Sequence, residues 1–441
     1  MAKLGSHISA ENPPIAPVID ADSLVRSLVL AAVFLLLWIT FRPFEDLSRA
    51  PEVSESGTLI NQVGYSLLFI VLAGWCFAHN PRRLLPLVRP ILIVTLAWFA
   101  LTVVTSWESS VSARRLAFML ITLGIAGMTL LLPKNVRHFS DVMAAVVLFV
   151  LAACYLGVLL APELSVHQPT DYIEPELAGD WRGVFAHKNQ ASATMVIFIF
   201  IGLFVARARS VGLGLLIVVL SSIFLVLTRS KTSIAILPMT LLLAALITHI
   251  RRPAVGIVCA LSIVAIFNVL SIGSIYFEPV RHLLDAVLTD SSFTGRTDIW
   301  QFAFDHVTQR PITGYGFAAF WGSKEVVYGM GEGYVWANVA AHAHNDYLNL
   351  ALTVGIPGSI LVTLWLVLVP LLDFYRSPHD ASADALKLLF LRVCLFAAYA
   401  SCFESMLIQE GALGLFLFMS AFGLRLFSVS HVTARATGAS R

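Results

Sequence analysis

The sequence predicts an all-α, polytopic membrane protein with about twelve transmembrane helices and one large extracytoplasmic loop. Three observations carry this expectation. Of its 441 residues, 58% are hydrophobic and only 13% charged, whereas a soluble domain carries roughly 25% charged residues; mean hydropathy is +0.82. The apolar residues gather in runs of about 20, the length a helix needs to cross a hydrocarbon core. The short loops between runs alternate in character, basic on one side and acidic on the other.

The first six runs lie near residues 25–41, 60–78, 90–107, 115–132, 142–161 and 191–206. The next six lie near 211–228, 233–249, 254–277, 347–372, 385–403 and 410–427. Only Thr228-Arg229-Ser230-Lys231-Thr232 separates the seventh from the eighth. An even count puts both termini on one side. With the N-terminus in the cytoplasm, the inner loops hold Arg82, Arg83 and Arg89; Lys134 and Arg137; Arg207 and Arg209; Arg251 and Arg252; and Arg376 with Lys387. This matches the positive-inside rule. Glu45, Asp46, Glu52, Glu55, Glu163, Asp171, Glu174, Glu176 and Asp180 then fall outside. Residues 1–24 read as a cytoplasmic N-terminal tail without a cleavable signal. Residues 25–427 form the bundle, 278–346 the large periplasmic loop within it, and 428–441 a second, disordered cytoplasmic tail.

Composition excludes several functions. A net charge of +2 implies no nucleic-acid partner. Cys76, Cys154, Cys259, Cys394 and Cys402 all sit in apolar runs with no Cys-x-x-Cys pair, so neither a disulfide framework nor a thiolate metal site is expected. Both long loops, 162–189 and 278–346, face away from cytoplasmic ATP. The chain has no glycine-rich phosphate loop ending in Gly-Lys-Ser/Thr and no dinucleotide fingerprint. Any synthesis at those loops therefore requires a substrate that arrives already activated.

Within the larger loop, residues 298–306 read as a short helix. Ile299, Phe302, Ala303 and Phe304 supply its apolar face, with Trp300 at the rim. Gly295 suits a turn before it, and Gly314 and Gly316 suit a second turn after Pro311. Arg296 stands at the helix start, where a guanidinium fork and free N–H groups both suit phosphate; the alternative is a surface pair with Asp298 or Asp290. Arg229 and Lys231 occupy the tight outer hairpin, where they hold a ligand or snorkel to headgroups. Arg182, His187, Lys188 and Asn189 belong to Trp181-Arg182-Gly183-Val184-Phe185-Ala186-His187-Lys188-Asn189. That turn either contacts phosphate or sugar, or anchors at the interface through Trp181. Arg114 and Arg115 at another outer edge have the same two readings.

His344, followed by Asn345 and Asp346 where a long helix begins, is a candidate for taking a proton from a hydroxyl; Asn345 or Asp346 could cap that helix. The spacing of His342 and His344 does not suit a metal, and none is expected. Glu404 and Glu410 flank the last outer turn. They bind sugar hydroxyls, pair with the arginines, or simply face solvent.

Taken together these stretches resemble the O-antigen ligase and polysaccharide polymerase superfamily (Wzy/WaaL-type), above all its ExoQ-like exopolysaccharide polymerase branch. The resemblance rests on the Trp181–Asn189 stretch, Thr228-Arg229-Ser230-Lys231-Thr232 and Gly295-Arg296-Thr297-Asp298-Ile299-Trp300. It rests also on Arg310-Pro311 with Gly314-Tyr315-Gly316-Phe317, and on His344-Asn345-Asp346-Tyr347-Leu348 followed by Gly355. It implies a GT-C-type glycosyltransferase bundle in the bacterial inner membrane, with its active site facing the periplasm. Donor and acceptor would be polyprenyl-diphosphate-linked (undecaprenyl-type) oligosaccharides, with no nucleotide sugar, metal or other cofactor. Flippase and chain-length or export proteins would be its partners, besides membrane lipid.

The resemblance maps the family's three arginines and its histidine onto Arg182, Arg229, Arg296 and His344. Catalysis is expected from His344, Arg296 and Arg229, and substrate binding from Arg182, His187, Lys188, Asn189, Lys231, Asn345 and Tyr315. One departure stands out: relatives often carry Glu in the helix after the His-Asn pair, where this chain has Thr353. A ligase acting on lipid A core or protein, a lipid-linked oligosaccharide transporter or flippase, and a scaffold subunit of a secretion complex are the rival readings.

Overall fold

The computed structural model describes residues 20–39, 43–49, 55–287, 293, 295–323, 326, 342–381, 383–408 and 412–438. The protein is all-α; among the described residues the only β-pairing is an isolated antiparallel bridge between Val166 and Trp181. The N-terminal half contains α1 (Ala21–Ile39), α2 (Glu55–His79), α3 (Pro90–Val104), α4 (Ser109–Thr129) and α5 (Val136–Leu160). Next come α6 (Lys188–Ala208), α7 (Val211–Leu227), α8 (Lys231–His249) and α9 (Pro253–Leu270). The larger loop holds α10 (Glu278–Val287) and α11 (Arg296–Gln309), and the chain closes with α12 (Asp346–Thr363), α13 (Asp384–Ala400) and α14 (Ala412–Gly438). The loop residues 288–292, 294, 324–325 and 327–341, and with them Asp290 and Thr294, lie outside the described residues, as do Glu410 and residues 1–19.

Every apolar run picked out in the sequence forms a helix, but the count of membrane-crossing helices differs. Among the described residues eight are long and apolar enough to span a bilayer, or nine if the bent pair Pro81–Leu87 and Pro90–Val104 is one span. The other three expected runs fall short: α7 and α13 have 17 residues each, α13 also carries Lys387 and Arg392, and the apolar part of α14 is only Leu413–Val429. The ninth run breaks after Leu270 into a separate turn, Gly273–Tyr276. The tenth continues from α12 through a π-helical turn, Leu364–Leu368, to Arg376. The final helix does not stop at 427 but runs to Gly438, through residues read as a disordered tail.

The bundle is built around α6, whose residues are 78% buried, whereas α2 and α9 are at 17% and form the outer rim. α6 packs on α5, α7, α8 and α13. Its contact with α7 is a close backbone approach: a Cβ on Gly214 would lie 2.5 Å from the Gly202 carbonyl oxygen. Small residues of this kind let membrane helices meet without intervening side chains.

α12 is broken at Gly355 (φ 74°, ψ 169°). A break inside a membrane helix strands backbone groups that lipid cannot satisfy. Here the turn after α11 fills the gap. The Tyr315 and Gly316 N–H groups donate to the Leu352 and Thr353 carbonyls at 3.0 and 2.8 Å, and the Ile356 N–H donates to Pro311 at 2.8 Å. Trp98 Nε1 donates to the Val354 carbonyl at 2.8 Å. The loop is thus built into the bundle. Trp300, expected at the rim, is fully buried in the same cluster as Ile299, Phe302 and Tyr315. The apolar pattern of α11 therefore faces two neighbours rather than one.

Glycine is required at 355 for two reasons. Its φ is one that side chains rarely tolerate, and an added Cβ would fall 1.8 Å from the Ile312 carbonyl oxygen. Gly355→Ala is expected to lose most monodisperse protein on detergent extraction and to lower Tm, whereas Gly74→Ala, which has open space, should match wild type in size-exclusion and thermal-shift assays.

Candidate functional site

At one end of the bundle four segments meet: the start of α6, the α7–α8 hairpin, the start of α11, and the residues leading into α12. They converge on the turn that follows α13. Its centre is Glu404, which is 7% exposed. Arg296 Nη2 donates to Glu404 Oε1 at 2.5 Å, and Arg296 Nη1 donates to the Phe403 carbonyl. Asn189 Nδ2 donates to the same Glu404 oxygen at 3.0 Å. His344 Nδ1 lies 3.3 Å from the other carboxylate oxygen. Burial works to raise the Glu404 pKa, but the Arg296 charge and the hydrogen bond from His344 outweigh it and hold the carboxyl at about 2. The group is an anion under all ordinary conditions.

His344 is fixed from both sides. Its ring centroid is 4.3 Å from that of His342, edge to face, and its backbone N–H donates to His342 Nδ1 at 3.2 Å. Burial, reinforced by the neighbouring His344, pushes His342 down to about 4, so it is neutral at pH 7. With Nδ1 of His344 facing a carboxylate, the tautomer that donates there leaves Nε2 with its lone pair. His344 and Arg229 also have left-handed backbones, φ 50° and 51°. Such conformations cost about 1–3 kcal/mol each in non-glycine residues and cluster at functional sites.

The residues after His344 clamp the turn that bears Glu404. Asn345 caps α12 by accepting from the Leu348 N–H at 3.0 Å, while its Nδ2 donates to the Cys402 carbonyl at 2.8 Å. The Asp346 N–H donates to the Ser401 carbonyl at 2.7 Å, and its carboxylate accepts from the Met406 and Leu407 N–H groups.

A second cluster adjoins the first. Asp180, 5% exposed, accepts from Lys188 Nζ at 2.6 Å and from Arg229 Nη1 at 3.5 Å. Arg229 remains 67% exposed. His187 caps α6, its Nδ1 accepting from the Asn189 N–H at 3.1 Å. Its Nε2 then donates to Glu174 at 2.8 Å. That hydrogen bond keeps Glu174 below the usual carboxylate range. Ser230 Oγ reaches Asn189 Oδ1 at 3.4 Å. One side chain, Asn189, therefore links the hairpin of Arg229 to Glu404.

Of the residues singled out in the sequence, Arg229, Lys188, Asn189, Arg296 and His344 come together in this network, with His187 at its edge. Lys231 is exposed beside Arg229. Arg182 stands apart: it is 1% exposed and its guanidinium donates to the Phe185 and Glu45 carbonyls at 3.1 and 2.5 Å. Tyr315 is packed beneath Arg310, with its hydroxyl donating to the His306 carbonyl at 3.2 Å. Asn345 is fully buried in the capping role described above. Arg115 donates to the Ala318 carbonyl. Two carboxylates gain importance: Glu404, for which a solvated turn was one reading, and Asp180. The available signal was their position, acids beside apolar runs on the side that also carries unexplained cations. Among the described residues no group of three or more His, Cys, Asp or Glu is arranged to hold a metal ion.

A buried anion bridging an arginine and a histidine, rimmed by exposed cations, suits a reaction that moves a proton and releases an anionic leaving group. Comparison with known proteins points the same way. Residues 216–363 match the O-antigen ligase family. That O-antigen ligase segment contains Arg229, Arg296 and His344, while Lys188, Asn189 and Glu404 lie outside it. Two curated relatives are similar over shorter stretches. The exopolysaccharide production protein ExoQ of Rhizobium meliloti (strain 1021) is 32% identical over 102 residues, 23% of this chain and 23% of its own. A protein of Rickettsia felis (strain ATCC VR-1525 / URRWXCal2), provisionally named a polysaccharide ligase, is 37% identical over 78 residues, 17% of this chain and 18% of its own. The chain thus aligns with less than a quarter of either relative's length.

The depressed Glu404 pKa has a direct consequence. A carboxyl held at about 2 in the folded state but near 4.5 when unfolded contributes stability above pH 4.5 that is lost as pH falls towards 2, about 3 kcal/mol at most. The Tm advantage of wild type over Glu404→Gln is expected to be full at pH 6 and to shrink steadily between pH 4.5 and 2.5. A constant gap across that range contradicts the assignment.

Proposed function

We propose that this multi-pass membrane protein polymerises polyprenyl-diphosphate-linked oligosaccharide repeat units into exopolysaccharide at the outer face of the inner membrane, by a single inverting transfer in a GT-C-type bundle. The observation that carries the reading is the convergence of Arg296, His344 and Asn189 on the buried Glu404, with Arg229 and Lys188 sharing Asp180 alongside.

In this reading Glu404 holds His344 with Nε2 free to receive the proton of the acceptor hydroxyl. The hydroxyl oxygen forms the new bond to the donor's anomeric carbon as the bond from that carbon to the lipid diphosphate breaks. Attack from the face opposite the leaving group inverts the anomeric centre. The bonding electrons leave with the diphosphate, whose added charge falls to the exposed cations. Arg229 and Lys231 are the most available of these. Arg296 already gives two N–H groups to Glu404 and Phe403, so its remaining donors add to the clamp while its charge sets the state of Glu404. Arg182, Tyr315 and Asn345 then act by holding the loops rather than by touching substrate.

The O-antigen ligase match and the Rickettsia relative favour a second reading, transfer of the finished glycan to a different acceptor. The donor half of the chemistry is the same in both. Proteoliposomes given a defined lipid-linked repeat should yield a ladder of products for a polymerase and one capped product for a ligase.

The residue roles are tested in the same assay. Arg229→Ala and His344→Ala are each expected to lower turnover by about 10²-fold or more at unchanged expression and Tm within a few degrees; Arg296→Ala should lower turnover as much and also lower Tm, because it leaves the buried Glu404 anion without its cation. Full activity in all three overturns the assignment.

A further inference from the structure

Among the described residues, the buried charged side chains outside the site each have a partner. Asp373 takes two hydrogen bonds from Arg89 at 2.7 and 3.0 Å. Lys387 pairs with Asp384 and donates to the Pro378 carbonyl. Arg182 has its two carbonyls and Asp171 its histidine. Arg392 is the exception. It lies midway along α13 and is 9% exposed. Its Nε is buried without a hydrogen-bond acceptor, and no described carboxylate pairs with it.

The nearest end of α6 brings another cation, Arg207, exposed in its last turn. The helix packing explains how the two meet. Phe396 packs on Phe200 at 6.1 Å, so Arg392, one turn earlier on α13, lies level with the turn beyond Phe200 on α6. Helical side chains lean towards the helix N-terminus, which carries the Arg392 guanidinium towards Arg207 in the last turn of α6. That turn is the end of α6 opposite Lys188 and Glu404. Free carbonyls at a helix C-terminus favour a cation, yet they do not offset burial of a full charge beside a like charge in a membrane protein. Two arginines with one exposed head present a fork suited to phosphate oxygens.

We propose that Arg392 and Arg207 form a binding site for a phosphate group at the membrane face opposite the candidate active site. An anionic phospholipid headgroup and soluble phosphate share this chemistry. The exposed Arg207 provides the entrance and the buried Arg392 the inner contact.

The test uses the full chain in nanodiscs of phosphatidylcholine alone, of phosphatidylcholine with phosphatidylglycerol, or of phosphatidylcholine with millimolar inorganic phosphate in the buffer. Wild type is expected to gain about 2 °C or more in Tm with one of the two phosphate sources. Arg392→Met should lose that gain, Arg392→Lys should keep part of it, and native mass spectrometry should show one fewer retained anionic lipid for Arg392→Met if lipid is the source. A gain with phosphatidylglycerol alone assigns the site to lipid, and a gain with inorganic phosphate assigns it to the free anion. If Arg392→Met does not fold, the surface variant Arg207→Gln reads the same difference. Wild type and variants responding equally to both sources, or wild type responding to neither, overturns the proposal.

Discussion

A carboxylate enclosed at the end of an apolar bundle governs the arrangement of everything around it. Glu404 is almost fully buried, and an unpaired anion there would be prohibitively costly. Its two oxygens are satisfied by Arg296, Asn189 and His344, which come from α11, α6 and the segment before α12. Each belongs to a different part of the chain, so meeting the electrostatic need of one side chain fixes the relative position of three others. Asn345 and Asp346 complete the constraint by gripping the same turn through its backbone. The charge requirement and the helix start at Asp346 are therefore one structural unit.

The broken helix serves the same end by other means. Unwinding α12 at Gly355 exposes carbonyls that the Pro311–Gly316 turn and Trp98 satisfy. That docking anchors α11 against the bundle and so sets where Arg296 can reach. Neither device works alone: the loop needs the break to dock, and the ion pair needs the docked loop. The exposed cations Arg229 and Lys231, on a short hairpin tied to Asn189 through Ser230, then sit at the mouth of the cluster. There the proposed mechanism requires positive charge.

Much of this was legible in the sequence because it is local. Apolar runs gave the helices, and Gly295, Gly314 and Gly316 gave turns that the structure places at positive φ. Arg229, Lys188, Asn189 and His344 stood out as polar residues at the edges of apolar runs, and Arg296 at the start of a helix within the large loop. What was not legible is long-range. Glu404 lies 60 residues from His344 and 108 from Arg296, and no periodicity links them, so its alternative as a solvated acid could not be dismissed. Arg182 sits in a motif beside site residues, yet its side chain turns inward to carbonyls. Periodicity placed an apolar face on α11 but could not show that Trp300 meets a second wall. The span count depended on runs of 17 residues, just at the length where spanning and merely buried helices look alike.

The central claim is that Glu404 and His344 act as one proton-accepting unit. A double-mutant cycle with Glu404→Gln and His344→Gln, measured as turnover of a defined lipid-linked repeat in proteoliposomes, tests it most directly. The account predicts strong non-additivity, with the double variant about as slow as the slower single variant. Rate losses that simply multiply would contradict it, leaving Glu404 as a structural ion-pair partner of Arg296 alone.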